Sequence, residues 1–141
     1  MAKERDAANL LSQVPLFAGL SKAEIRRIAD SAKTVEFPAG ESVTEEGTPG
    51  GRFYVIESGS ARVVRGGRTR ATLQAGDYFG ELSLIDGEPR SATVVAATSL
   101  RTYSIAEFNF RALLKREPGL AYKLLVPLAR RLREAERTLL D

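Results

Sequence analysis

The chain has 141 residues, 43% hydrophobic and 28% charged, with a formal net charge of +3; this is the size and balance of one globular domain, not of a disordered or fibrous chain. It contains no cysteine and no histidine, which excludes disulfides, thiolate nucleophiles, zinc–cysteine sites, the Ser-His-Asp triad and the commonest general base. No apolar run approaches the roughly 18–20 residues of a membrane helix, and the opening Met1-Ala2-Lys3-Glu4-Arg5-Asp6 leads into no signal-peptide core, so a cytoplasmic protein is expected. Composition closes the common enzyme routes but leaves carboxylate-only catalysis or a magnesium site open; the expectation is a non-catalytic protein without metal or cofactor.

Residues 7–33 read as a helical opening. Pro15 and Gly19 interrupt it, and Leu20, Ile25 and Ile28 then recur at helical spacing. Ser21 with Glu24 three positions on forms a capping box, and Leu20 stands before the cap as a staple residue.

Residues 34–105 change to short apolar stretches punctuated by glycine. The predicted strands are Thr34–Phe37, Ser42–Thr44, Arg52–Glu57, Ser60–Arg65, Arg70–Gln74, Ala92–Ala97 and Leu100–Ile105. Turn signals separate them, among them Pro38-Ala39-Gly40, Ser58-Gly59 and Gly66-Gly67. With no helical crossover between strands, the sheet should be antiparallel, and many short strands suggest a barrel, sandwich or jelly roll. Arg62, Arg65, Arg68 and Arg70 cluster on one predicted hairpin, which is read as solvated rather than as a nucleic-acid surface.

Residues 106–140 return to the helical period, with Pro118-Gly119 dividing a short helix from a longer one. In the longer one Ala121, Leu125, Leu128, Leu132, Ala135 and Leu139 are spaced as the seam of a coiled coil. That stripe suits either the chain's own barrel or a second copy, giving a homodimer. Pro127 inside it predicts a kink or a fresh start. Glu134 and Glu136 interleave with Arg130, Arg131, Arg133 and Arg137, as on a solvated helix face. The fold expected is α+β and mainly β: one domain over 1–141, an antiparallel jelly-roll barrel with N-terminal helices before it and two C-terminal helices after it.

The stretch Tyr78-Phe79-Gly80-Glu81-Leu82-Ser83-Leu84-Ile85-Asp86-Gly87-Glu88-Pro89-Arg90-Ser91-Ala92 carries the chemistry. A strand ends at Gly80, which lets backbone amides close on a ligand, and a helical turn from Glu81 to about Ile85 presents unpaired N–H groups. Arg90 returns at the next strand with a guanidinium fork suited to two phosphate oxygens. Glu81 beside that cationic site would repel a phosphate unless it accepts hydrogen bonds from sugar hydroxyls. Phosphate plus sugar indicates a nucleotide.

This block resembles the phosphate-binding cassette of the cyclic nucleotide-binding domain family, of the catabolite activator and protein kinase A regulatory subunit type. Val14-Pro15-Leu16-Phe17-Ala18-Gly19-Leu20-Ser21, Phe37-Pro38-Ala39-Gly40-Glu41, Tyr54-Val55-Ile56-Glu57-Ser58-Gly59 and Leu128-Ala129-Arg130-Arg131-Leu132 are similar to further motifs of that family, so nearly the whole chain is covered. The resemblance implies that Glu81 accepts the ribose 2′-hydroxyl, and that Arg90 with nearby cassette amides, including that of Leu82, holds the exocyclic phosphate oxygens, with Gly80 among the ligand-binding residues. It also implies that Ser91 lies near phosphate or base, that Ala92 leaves room for the ring system, and that Val63 and Leu73 pack on the base. Arg131 falls where bacterial relatives present an arginine to the cassette glutamate. The ligand implied is cAMP, with cGMP the alternative because Ser91 can meet a guanine amino group. Signalling by movement of the C-terminal helices is implied too. No helix-turn-helix or other DNA-binding element follows the long helix, so a free-standing sensor and a ligand-sensing part of a larger regulator both remain open.

Overall fold

The computed structural model describes residues 2–49 and 51–140. Helix α1 (Ala2–Ser12) leads through a 3-10 turn at Pro15–Phe17 into α2 (Lys22–Asp30). The first helix therefore starts before residue 7, where apolar periodicity first shows. The capping box at α2 forms as expected: Ser21 Oγ accepts from the Glu24 amide at 3.2 Å, and Glu24 Oε1 accepts from the Ser21 amide at 2.8 Å. The strands are β1 (Lys33–Phe37), β2 (Ser42–Thr44), β3 (Arg52–Ser58), β4 (Ala61–Arg65), β5 (Arg68–Leu73), β6 (Tyr78–Phe79), β7 (Thr93–Ala96) and β8 (Leu100–Ala106). The short helix α3 (Ser83–Asp86) lies between β6 and β7, and α4 (Glu107–Arg116) and α5 (Pro118–Leu140) close the described chain. Among the described residues, no helix is long and apolar enough to cross a membrane.

The strands form two four-stranded antiparallel sheets, ordered β1-β8-β3-β6 and β2-β7-β4-β5. They do not close into the expected barrel. Edge strands β2 and β6 run for only three and two residues, too short to carry a ladder on a second side. Where the chain crosses between sheets, individual backbone bonds fasten it, such as Gly40 N to Ala96 O at 2.7 Å and Gly76 N to Ile56 O at 2.8 Å.

Two apolar clusters follow from this layering. Phe53 and Val55 of β3 pack with Tyr103 and Ile105 of β8 against Leu11, Phe17, Ile28, Phe110 and Leu120 of the helices. Ile56 instead joins Ala61, Val94, Ala96 and Leu100 between the sheets. The period-two alternation of a strand sends neighbours to opposite faces, and β3 is buried on both. The β3–β4 turn needs glycine: Gly59 has φ +91°, and a Cβ there would run into the Ser99 carbonyl. Helix α5 is continuous through Pro127. Proline has no N–H to donate to the Lys123 carbonyl, and that carbonyl faces Gly19, where a Cβ would meet it at 3.9 Å.

Candidate functional site

The site begins where β6 ends. Tyr78 and Phe79 pair with Val55 and Tyr54 of β3, and the rings of Tyr54 and Phe79 stack with centroids 5.1 Å apart. Gly80 then turns at φ +86°, and a Cβ on it would meet the Arg90 guanidinium and would come within 2.8 Å of the Arg52 carbonyl. Only glycine fits there. Leu84 of α3 is wholly buried in the helical cluster, which anchors the loop. Gly87, left-handed at φ +66°, ends the helix by donating its N–H to the Ser83 carbonyl at 3.1 Å. The amide of Leu82 lies at the start of this turn, where a helix has no i−4 acceptor of its own.

Arg90 is fixed by its backbone to the β2–β3 turn: its N–H donates to Thr48 O at 2.8 Å, and its carbonyl accepts from Gly47 N at 2.9 Å. Its guanidinium Nη2 donates to the Arg52 carbonyl. Burial pushes the Arg90 pKa below its ordinary value, while Tyr54 and Glu107 push the other way; a guanidinium stays charged regardless. Among the described residues, no carboxylate pairs with it. A half-buried cation with a carbonyl for company and no ion-paired carboxylate among the described residues is poised for an anion.

Eight of the nine expected residues line one cavity of about 640 Å³: Gly80, Glu81, Leu82, Arg90, Ser91 and Ala92 on the cassette side, Val63 and Leu73 on the strand side. Arg131 does not line it but reaches it, its Nη1 lying 3.6 Å from Glu81 Oε1. The cavity is thus charged at one end and apolar at the other, with Glu81 only 14% exposed in its side chain. Tyr78 stands beside this pair, and burial first, then the Glu81 charge, pushes its phenol pKa up. A larger cavity of about 770 Å³ beside α4 lies against Glu107, Phe108 and Arg111, but its Arg111 is already paired with Glu107 at 2.9 Å.

Several contributors carry no signal in the sequence. Arg52 supports Arg90 through a backbone carbonyl, which residue type cannot announce. Arg65 Nε holds the Ser91 carbonyl at 3.1 Å from across the sheet. Thr44 and Val94 complete the wall opposite the cassette.

A family model described as the cyclic nucleotide-binding domain matches residues 34–117. The chain belongs to that family. A cAMP-dependent protein kinase regulatory subunit of Emericella nidulans is 42% identical over 106 residues, 74% of this chain and 26% of the relative. The crystal structure of the N-terminal domain of a transcriptional regulator from Streptomyces coelicolor A3(2) is 32% identical with a TM-score of 0.85, covering 94% of this chain and 96% of that one. The regulatory domain of Toxoplasma gondii PKA, in co-crystal with cAMP, is 29% identical with a TM-score of 0.74, covering 94% of this chain and 51% of that one. The chain spans about a quarter of the length of the curated relatives it matches. As a cyclic nucleotide-binding domain, it carries its cassette between β6 and β7, against the strand wall of β4 and β5.

Proposed function

We propose that this domain binds cAMP in the cavity between the cassette and the β4–β5 wall, converts it to nothing, and passes the event to α5. The carrying observation is that Arg90, a half-buried cation without a carboxylate partner, opens onto the same cavity as Glu81. Arg90 forks onto the exocyclic phosphate oxygens, assisted by the amides of Gly80 and Leu82. Glu81 accepts the ribose 2′-hydroxyl. Ser91 and Ala92 border the ring system, and Val63 with Leu73 supplies an apolar floor for the base. The names of the matched regulatory subunits and the cAMP held by the Toxoplasma gondii domain favour cAMP over cGMP.

Signalling follows from Arg131, since a sugar hydroxyl at Glu81 competes with the helix arginine for the same carboxylate. α5 then reports occupancy, within a larger cytoplasmic regulator or as a free-standing sensor. Isothermal calorimetry with cAMP and cGMP tests the reading. The expected result is one site per chain, tighter for cAMP. Arg90→Ala should weaken it by about 2–5 kcal/mol, roughly thirtyfold or more, as for truncation of one partner of a buried charge pair. No heat with either nucleotide, or an unchanged constant in Arg90→Ala, overturns it.

A further inference from the structure

Of the arginines Arg62, Arg65, Arg68 and Arg70 on the β4–β5 hairpin, only Arg65 makes a side-chain hydrogen bond among the described residues; its Nε donates to the Ser91 carbonyl at 3.1 Å. The β4–β7 ladder runs from Ala61↔Ala96 through Arg62↔Val95 and Val63↔Val94 to Val64↔Thr93, and there it stops. Ser91 lies beyond its end, where the chain leaves the cassette and has not yet entered β7. Arg65 is the last residue of β4, so its side chain reaches across where backbone pairing ends.

The surroundings make this contact a fixed one. Alternate residues of a strand share a face, so Arg65 stands on the side of β4 that carries Val63, and Val63 and Ser91 both line the cavity. Gly66 and Gly67, at φ +59° and +77°, turn the chain in two residues and pair Arg65 with Arg68. A second tie runs beside the first: the Gly66 N–H donates to Glu46 Oε1 at 3.3 Å, and the Glu46 N–H donates to Thr93 Oγ1 at 2.9 Å. The hairpin tip therefore holds residue 91 directly and residue 93 through Glu46. One peptide unit before Ser91 stands Arg90, whose guanidinium is set by the Arg52 carbonyl. Arg65 itself is exposed, so water screens its charge, and what it supplies is the placement of a carbonyl.

We infer that Arg65 is a positioning residue: it straps the β4–β5 hairpin to the Ser91 carbonyl and so holds the Arg90 fork in place at the phosphate end of the cavity. Groups ordered before a ligand arrives lose less freedom on binding it. The role toward phosphate rests on the proposed nucleotide site; the strap does not.

Two substitutions separate the hydrogen bond from the charge. Arg65→Gln puts an amide nitrogen at the same place along the side chain as the arginine Nε, without charge, and Arg65→Met fills the same length with no donor. Hydrogen exchange of the ligand-free chain, read by mass spectrometry, tests the strap. Arg65→Met should speed exchange across residues 90–93 about fivefold, the scale of one hydrogen bond, and Arg65→Gln should stay within about twofold of wild type. Unchanged exchange in Arg65→Met overturns the strap. Calorimetry with cAMP tests the positioning: Arg65→Met should bind about fivefold more weakly, and Arg65→Gln within about twofold of wild type. Equal losses in the two variants would assign the effect to charge and overturn it. In an Arg90→Ala background, where the fork is gone, adding Arg65→Met should cost less than about twofold, because coupled residues are not additive. A full fivefold loss there also overturns the positioning. Absence of cAMP binding by wild type overturns the proposed ligand and the positioning together, and hydrogen exchange still decides the strap.

Discussion

Glu81 carries a test that separates a ligand role from a structural one. Its side chain is largely shielded, yet its ion pair with Arg131 is long, so the carboxylate has unused acceptor capacity facing the cavity. If it accepts the 2′-hydroxyl, wild type should bind 2′-deoxy-cAMP about tenfold more weakly than cAMP, the scale of one hydrogen bond to a charged group. Glu81→Gln should narrow that gap, read by calorimetry on both ligands; equal affinities in wild type would leave Glu81 with Arg131 alone. The cassette was legible because its charged residues and glycine lie in one contiguous stretch, Gly80 to Ala92, and each needs a specific residue type. Val63 and Leu73 needed the family resemblance, since an apolar residue on a strand looks the same facing a cavity or a core. Arg52 stayed hidden because it acts through a carbonyl that every residue possesses.

Among the elements, the capped helix α2 offers a pH prediction. A hydrogen bond from Lys123, followed by one from the Ser21 amide, holds the Glu24 carboxyl below its ordinary value of 4.5. A carboxyl with a depressed folded pKa binds fewer protons folded than unfolded, so its contribution is present above about pH 4.5 and fades as pH falls through the folded value. Thermal melting of Glu24→Gln should therefore fall below wild type at neutral pH, and the two should converge as the pH drops below 4.5. A gap that is constant with pH would assign the loss to packing instead. That cap was readable from Ser21 and Glu24 because its partners lie three residues apart. Strand ends were less so: β5 starts at Arg68, earlier than the predicted Arg70, because Gly66 and Gly67 both take positive φ and turn the chain in two residues. β6 was legible only as a strand ending at Gly80 and had no predicted bounds, since two residues cannot show an alternation. The barrel became two sheets because closure depends on edge pairing between distant strands, which no local pattern records.

At the scale of the whole molecule, the cavity joins parts that different cores hold in place. Leu84 fastens the cassette to the helical cluster, while Val63 and Leu73 belong to the cluster between the sheets. A ligand bridging both stabilises the entire fold by mass action, about 2.7 kcal/mol at a hundred times its dissociation constant. For a domain of this length each kcal/mol is worth about 3–5 °C, so saturating cAMP should raise Tm by about 8–13 °C in a single transition. Arg90→Ala at the same concentration should show little of that rise. Leu132→Glu, changed on the bare stripe where Leu132 is 62% exposed, should melt within about 0.5 kcal/mol of wild type, since surface substitutions away from buried contacts rarely cost more. Differential scanning calorimetry distinguishes the alternatives. Two transitions, of which cAMP moves only one, would mean that the sheets unfold separately and that the ligand rests on one of them alone.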